Sequence, residues 1–184
     1  MNSHYFVGIK APLSIQSQVV RYRETLQLDQ QYKVLPVMED LHLTLFFIGA
    51  LTDQQCHLLN ERLATLAMNH QPFPLSIDGL SYFGSPTGPR VVYLSVEPSN
   101  QLNLLQQSIA NIVSELLLIE ATNPFTPHIT IAKKRKTTED SVIPIEKFTK
   151  VDFATEQFSL YKIHPAKTPK YEALFTYSLK NSSG

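Results

Sequence analysis

Two four-residue stretches of this chain combine side chains that can move protons with side chains that can hold an anion. They are His42-Leu43-Thr44-Leu45 and His128-Ile129-Thr130-Ile131. In each, a histidine and a threonine stand two positions apart within an apolar alternation. Side chains of a β-strand alternate between faces, so His42 and Thr44 share one face while Leu41, Leu43 and Leu45 take the other. His128 and Thr130 are set in the same way against Pro127, Ile129 and Ile131. Two such strands brought together surround one small ligand with two imidazoles and two hydroxyls.

That set suits acid–base chemistry on a phosphodiester. With an unperturbed pKa near 6.5, one imidazole can be neutral and the other protonated at neutral pH. One takes a proton from an attacking water or hydroxyl and the other delivers a proton to the departing oxygen. The threonine hydroxyls can donate to non-bridging phosphate oxygens. A metal site is not expected. There is no HExxH, no second histidine beside either motif and no carboxylate within them. A serine nucleophile is not expected either, because no GxSxG-like element is present. No cofactor is called for.

The elements around these motifs follow from periodicity. Tyr5 to Lys10 reads as a strand stopped by Pro12. A helix over 14–27 carries Ile15, Val19, Tyr22 and Leu26 on one face, and residues 29–33 read as a connection. The first motif strand spans 41–48, with Phe46 placed on the His42 face by strict alternation. Thr52-Asp53-Gln54-Gln55 is a capping box opening a helix that buries Cys56, Leu59, Leu63 and Leu66. A strand at 73–82, a turn at 84–89 and a strand at 90–96 suggest a hairpin. A third helix has Leu102, Leu105, Ile109, Ile112 and Leu116 at helical spacing. The second motif strand follows Pro127. Residues 137–150 give no clear pattern, and two terminal strands are expected over 152–163 and 171–179.

Strand, helix and HxTx strand thus occur once per half, with the two histidines 86 residues apart. The expected fold is α+β, a two-lobed, pseudo-two-fold arrangement of two antiparallel sheets with flanking helices and a groove between the lobes. The whole chain, 1–184, is expected to form this one domain. Its apolar (43%) and charged (17%) fractions are those of a globular protein. No apolar run approaches the length of a membrane span and the N-terminus lacks the pattern of a secretion signal. A cytoplasmic location and no membrane partner are therefore expected. Cys56 stands alone, so no internal disulfide can form.

Net charge is zero, which argues against a broad grip on nucleic acid. Its distribution is uneven. Residues 1–132 hold 6 Lys/Arg and 10 Asp/Glu, and residues 133–184 hold 10 and 6. The second group begins with Lys133-Lys134-Arg135-Lys136, directly after the second motif.

The paired motifs, read as HLTLFFIG at His42–Gly49 and PHITIAK at Pro127–Lys133, with Phe6 in the first strand, resemble the 2H phosphoesterase superfamily. The resemblance is to its bacterial branch of 2′-5′ RNA ligases and RNA 2′,3′-cyclic phosphodiesterases, and it covers nearly the whole chain. It implies hydrolysis of a 2′,3′-cyclic phosphate on RNA ends to a 2′-phosphomonoester, with a reversible 2′-5′ joining activity in some members. It implies His42 and His128 as catalytic residues, with His128 activating water and His42 protonating the 3′ oxygen. Thr44 and Thr130 would contact phosphate, with Lys133, or Lys134 or Arg135 beside it, as the basic contact. Phe6 has two readings: a core position, the commoner place for an aromatic in a first strand, or a groove position stacked on a base or ribose.

Two departures stand out. Family members often carry arginine where this chain has Lys133, which keeps the charge but loses the planar fork. Leu160-Tyr161-Lys162-Ile163 replaces a Leu-Tyr-Glu-Ser-like strand end. The expected partners are RNA ends with a 2′,3′-cyclic phosphate, or small cyclic-phosphate nucleotides. No protein partner is implied and a monomer is expected. A non-catalytic nucleotide-binding module is the contrasting reading, and it predicts loss of a motif residue. None is lost.

Overall fold

The computed structural model describes residues 3–180. In chain order the elements are β1 (His4–Lys10), α1 (Gln16–Thr25), α2 (Leu28–Gln31), β2 (Tyr32–Val34), β3 (His42–Ala50), α3 (Asp53–Met68) and β4 (Phe73–Ser85). They continue with β5 (Gly88–Val96), α4 (Asn100–Leu117), β6 (His128–Arg135), β7 (Glu146–Thr155), β8 (Gln157–Ile163) and β9 (Tyr171–Ser178). No helix among these residues is long and apolar enough to cross a membrane.

The two expected antiparallel sheets are the halves of one continuous path, β7-β4-β5-β6 and β3-β1-β8-β9. A single residue pair, Leu43 with Ile129, joins them. Strand β6 is met at its start by β3 and at its far end by β2, which pairs through Tyr32–Arg135 and Val34–Lys133. The two partners of β6 therefore diverge along it. Each half repeats one plan: β1 and β3 pair antiparallel around α1, and β5 and β6 pair antiparallel around α4. The connecting helices are exchanged between halves. From α1, Tyr22 donates to Glu146 of β7 at 2.6 Å, whereas α4 packs on β3.

Local sequence explains most boundaries. Thr52 caps α3 by accepting from the Gln55 N–H while Gln55 reaches back, so the capping box forms as expected. Cys56 packs against the core from a half-buried position. Leu102, Leu105, Ile109 and Ile112 are buried along α4. The expected helix over 14–27 is shorter, because Gln27 adopts a left-handed conformation (φ 50°) that separates α1 from α2. The connection at 29–33 is consequently the short helix α2 running into β2.

The terminal strand expected over 152–163 is two strands on opposite halves. Strand β7 pairs with β4 and β8 pairs with β1. Glu156 alone separates them. The chain crosses there in extended form and needs no glycine or proline, so the sequence carries no break to read.

Two β-bulges determine what faces the groove. Val7 pairs with Phe46 but Gly8 pairs with Thr44, so Leu45 is the extra residue in β3. Val92 pairs with Ala132 but Tyr93 pairs with Thr130, so Ile131 is the extra residue in β6. A bulge resets the alternation beyond it. Leu45 and Phe46 are both buried, as are Ile131 and Ala132, and Phe47 and Lys133 then emerge on the motif face. The placement of Phe46 beside His42 is thereby corrected: Phe46 is 6% exposed in the core, and Phe47 takes the groove position. Gly8 lets β1 approach the first bulge. A Cβ there would lie 2.9 Å from the Leu43 carbonyl oxygen and 3.2 Å from the Phe6 ring. At the second bulge, Arg23 of α1 donates through Nε and Nη2 to the Ile131 carbonyl, at 3.2 and 3.0 Å. Its Nη2 also reaches the Pro36 carbonyl at 2.6 Å.

Candidate active site

The antiparallel pairing of Leu43 with Ile129 fixes the relation of the two motifs. Stepping one residue either way sets His42 opposite Thr130 and Thr44 opposite His128, all four on the face away from Leu43 and Ile129. A groove of about 190 Å³ opens on that face, lined by His42, Thr44, Thr130 and Lys133, with Phe47 and Tyr171 at its sides. His128 is not part of this wall. It stands at the neighbouring position on the same face, close enough that its positive charge opposes protonation of His42.

Both imidazoles are oriented by the same device. His42 Nδ1 lies 2.7 Å from the Asp40 carbonyl oxygen, and His128 Nδ1 lies 2.7 Å from the Thr126 carbonyl oxygen. A carbonyl only accepts, so Nδ1 carries the hydrogen in each neutral ring and Nε2 is left as the basic nitrogen. The Thr44 hydroxyl is 2.9 Å from His42 Nε2 and donates to it in the neutral state.

Aromatic rings hold each imidazole. Phe6 stacks on His42 (centroids 4.5 Å apart) and Tyr171 meets its edge at 5.0 Å. Phe83 and Tyr93 pack on His128 at 4.9 and 5.1 Å. The other face of Phe6 is covered by Tyr161 at 4.9 Å, and the residue is 2% exposed. Of the two readings of Phe6, the core position fits these contacts: its faces are occupied and it supports His42. Phe47, 56% exposed on the groove wall, is the open aromatic.

Of the basic run after the second motif, Lys133 lines the groove. Lys134 is exposed, and Arg135 is committed to Ser141 and to the Glu139 carbonyl. Burial pushes the Lys133 pKa down, as do the charges of Lys134 and Lys170. Burial likewise pushes His42 down, to about 4, with further lowering from Lys133 and His128. His128 is lowered by burial. Both imidazoles are therefore neutral in the free protein at neutral pH. Among the described residues no three His, Cys, Asp or Glu side chains gather into a metal-ligating group.

Asp40 was not foreseen as a site residue. It is 5% exposed, and its carboxylate accepts from the backbone N–H groups of Lys170 (2.9 Å) and Tyr171 (3.2 Å) while its carbonyl orients His42. One residue thus ties the start of β9 to the first motif. Its position two before the motif histidine, matched by Thr126 in the second motif, was the available signal.

The shifted His42 pKa makes a stability prediction. Between pH 6.5 and about 4 the unfolded chain takes up a proton at this position that the folded chain refuses. Stability is therefore lost as pH falls through that window, by on the order of 3 kcal/mol from this group. Urea unfolding at pH 7 and pH 4.5 is expected to show a smaller loss for His42→Ala than for the parent. Equal losses would contradict the shift.

Comparison with known proteins gives three kinds of likeness. A family model described as the 2′-5′ RNA ligase superfamily matches residues 11–166. A Bacillus subtilis (strain 168) protein named RNA 2′,3′-cyclic phosphodiesterase is 32% identical over 180 residues, 96% of each chain. Among solved structures, Escherichia coli LigT, crystallised with 3′-AMP, superposes with a TM-score of 0.81 at 23% identity, over 98% of this chain and 100% of that one. A structure from Thermus thermophilus gives 0.79 at 27% identity, over 97% and 99%.

Proposed function

This chain belongs to the 2′-5′ RNA ligase superfamily, and on that premise we propose that it opens 2′,3′-cyclic phosphates at RNA ends to 2′-phosphomonoesters, using His42 and His128 as acid and base. The observation that carries this reading is the seam. It gathers both HxTx motifs on one face, and a backbone carbonyl at each Nδ1 leaves Nε2 as the basic nitrogen, which in neutral His42 accepts from the Thr44 hydroxyl. The two halves act as one domain in this reading, with the reaction at their junction.

The steps follow from those groups. His128 Nε2 takes a proton from water as the water oxygen bonds to phosphorus. The P–O3′ bond breaks, and Nε2–H of His42 supplies the proton that O3′ needs. The Thr44 and Thr130 hydroxyls and the Lys133 ammonium hold the non-bridging oxygens as charge builds on them. His42 is neutral in the free protein, and the bound phosphodiester anion favours its charged form, so substrate binding loads the acid. Both proton transfers come from side chains, and the scheme asks for no metal ion or cofactor. When a 5′-hydroxyl replaces water, the same bond changes join two RNA ends through a 2′-5′ linkage.

Incubating the protein with a short RNA bearing a 2′,3′-cyclic phosphate, with EDTA present, tests the reading. A 2′-phosphomonoester is the expected product, and unchanged ends at high protein concentration would overturn it. Phe47 gives a second expectation. Stacking of a base on an exposed aromatic contributes about 1–3 kcal/mol, so Phe47→Ala is expected to raise KM roughly tenfold with kcat little changed, and Phe47→Trp to keep KM low. Steady-state kinetics check this, and an unmoved KM for Phe47→Ala would place the base elsewhere.

A further inference from the structure

A second cavity, about 210 Å³, adjoins the groove and shares Pro36, Asp40 and Tyr171 with it. Its other walls include Lys33, Thr168 and Lys170. Among the described residues neither lysine has a carboxylate within ion-pair reach. Asp40 is the acid in the cavity wall, and both its oxygens are engaged by the backbone N–H groups of Lys170 and Tyr171. It shapes the wall without pairing with either ammonium. Lys170 is also near enough to Lys133 for the two charges to oppose one another. In a chain of zero net charge, three lysines thus line two neighbouring cavities, and among the described residues none of the three forms an ion pair with a carboxylate. Such an arrangement focuses positive potential and suits a ligand with more than one anionic group.

A nucleoside 2′,3′-cyclic phosphate can carry a second anionic group. With its 2′,3′-phosphate at the motifs, its 5′ oxygen lies across the ribose, and in RNA that oxygen carries the next phosphate. We infer that the Lys33–Lys170 cavity is a second phosphate subsite, binding the phosphate on the 5′ oxygen of the nucleoside whose cyclic phosphate occupies the HxTx groove. The inference rests on the reaction proposed for that groove. It adds a reason for the enzyme to prefer a chain end, or a 5′-phosphorylated nucleotide, over a bare nucleoside cyclic phosphate. A positively charged track beside an aromatic platform is a common way to hold single-stranded nucleic acid.

Three probes test it: adenosine 2′,3′-cyclic phosphate with a free 5′-hydroxyl, the same compound with a 5′-phosphate, and an ApA dinucleotide ending in the cyclic phosphate. The second and third are expected to show kcat/KM about tenfold above the first, mainly through KM. Lys33→Ala and Lys170→Ala should each lose more on those two than on the first. Both keep the backbone N–H groups that Asp40 binds. The salt dependence of log kcat/KM for the dinucleotide should become shallower by about 0.7 for each lysine removed.

A preference for the 5′-phosphate mononucleotide that the dinucleotide does not share would support the subsite and identify its source as free nucleotide. Equal kcat/KM for all three probes would overturn the inference, as would variants that keep the full preference. Calorimetric binding of adenosine 2′,5′-bisphosphate against 2′-AMP reads the subsite without turnover. Tighter binding of the bisphosphate, lost in both variants, supports it even if no probe is hydrolysed, in which case the catalytic reading alone fails. Equal affinities overturn the subsite.

Discussion

His42→Ala and His128→Ala are each expected to lower turnover of an RNA 2′,3′-cyclic phosphate by about 10²–10⁴-fold, the range for loss of one positioned proton donor or acceptor. Neither loss should be repaired by the other histidine. The carbonyls of Asp40 and Thr126 hold the two rings in fixed orientations on opposite strands of the seam. The losses should not multiply in the double variant, because acid and base serve one transition state. His42→Ala also leaves Phe6 and Tyr171 without the ring they pack on. Its fold must therefore be checked by thermal unfolding, and the rate compared with His42→Gln, which fills more of the same space. Rates measured under single-turnover conditions would separate loss of chemistry from loss of binding.

The second large effect belongs to Lys133. Removing one fixed donor to developing charge commonly costs about 10²–10³ in kcat, and Lys133→Ala is expected to fall in that range. Lys133→Arg should keep much of the rate, since the charge is retained. A second readout follows from electrostatics. The Lys133 ammonium disfavours a proton on His42, whose pKa in the free protein is about 4. Removing that positive charge must raise the His42 pKa, and NMR titration of the imidazole reads the shift directly. A slower variant with an unmoved His42 pKa would mean that Lys133 acts away from the motif groove. The same logic predicts that the alkaline limb of the kcat profile lies at higher pH than that of kcat/KM. The first reports the substrate-loaded protein and the second the free one.

The parts of this site that were legible in the sequence are those that depend on local alternation. His42, Thr44, His128 and Thr130 share a face because two residues along a strand always do, and the flanking leucines and isoleucines identify which face is buried. The capping box and the helical spacing of α4 were legible for the same reason. What alternation misses is the bulge. Strict period-two reading puts Phe46 on the motif face and would put Ala132 and Lys134 there in the second strand. One extra residue in each strand turns Phe47 and Lys133 to the groove instead. Lys133 was anticipated through family resemblance and not through its strand pattern.

The remaining neighbours were hidden by distance along the chain. Tyr161 and Tyr171 reach the first motif because β8 returns beside β1 and β9 pairs with β8, and Phe83 and Tyr93 reach the second because β4 pairs with β5 and β5 with β6. Asp40 stands outside the first motif, two residues before His42. Only the arrival of β9, 130 residues later, turns its carboxylate into a clamp. The split between β7 and β8 at Glu156 belongs with these, since an extended chain that crosses between halves reads as one strand.

The assignment of one histidine to each side of phosphorus is the centre of the account. It is tested most directly by changing the leaving group. A phosphodiester with a 4-nitrophenolate leaving group needs no proton delivered to it, whereas the 3′ oxygen of a cyclic phosphate does. His42→Ala is therefore expected to retain most of the parent rate on the nitrophenyl ester and to lose about 10²–10⁴-fold on the cyclic RNA end. His128→Ala should be slow on both. The reverse pattern would exchange the roles of the two histidines, and equal losses for both variants on both substrates would contradict an acid and a base acting separately at this seam.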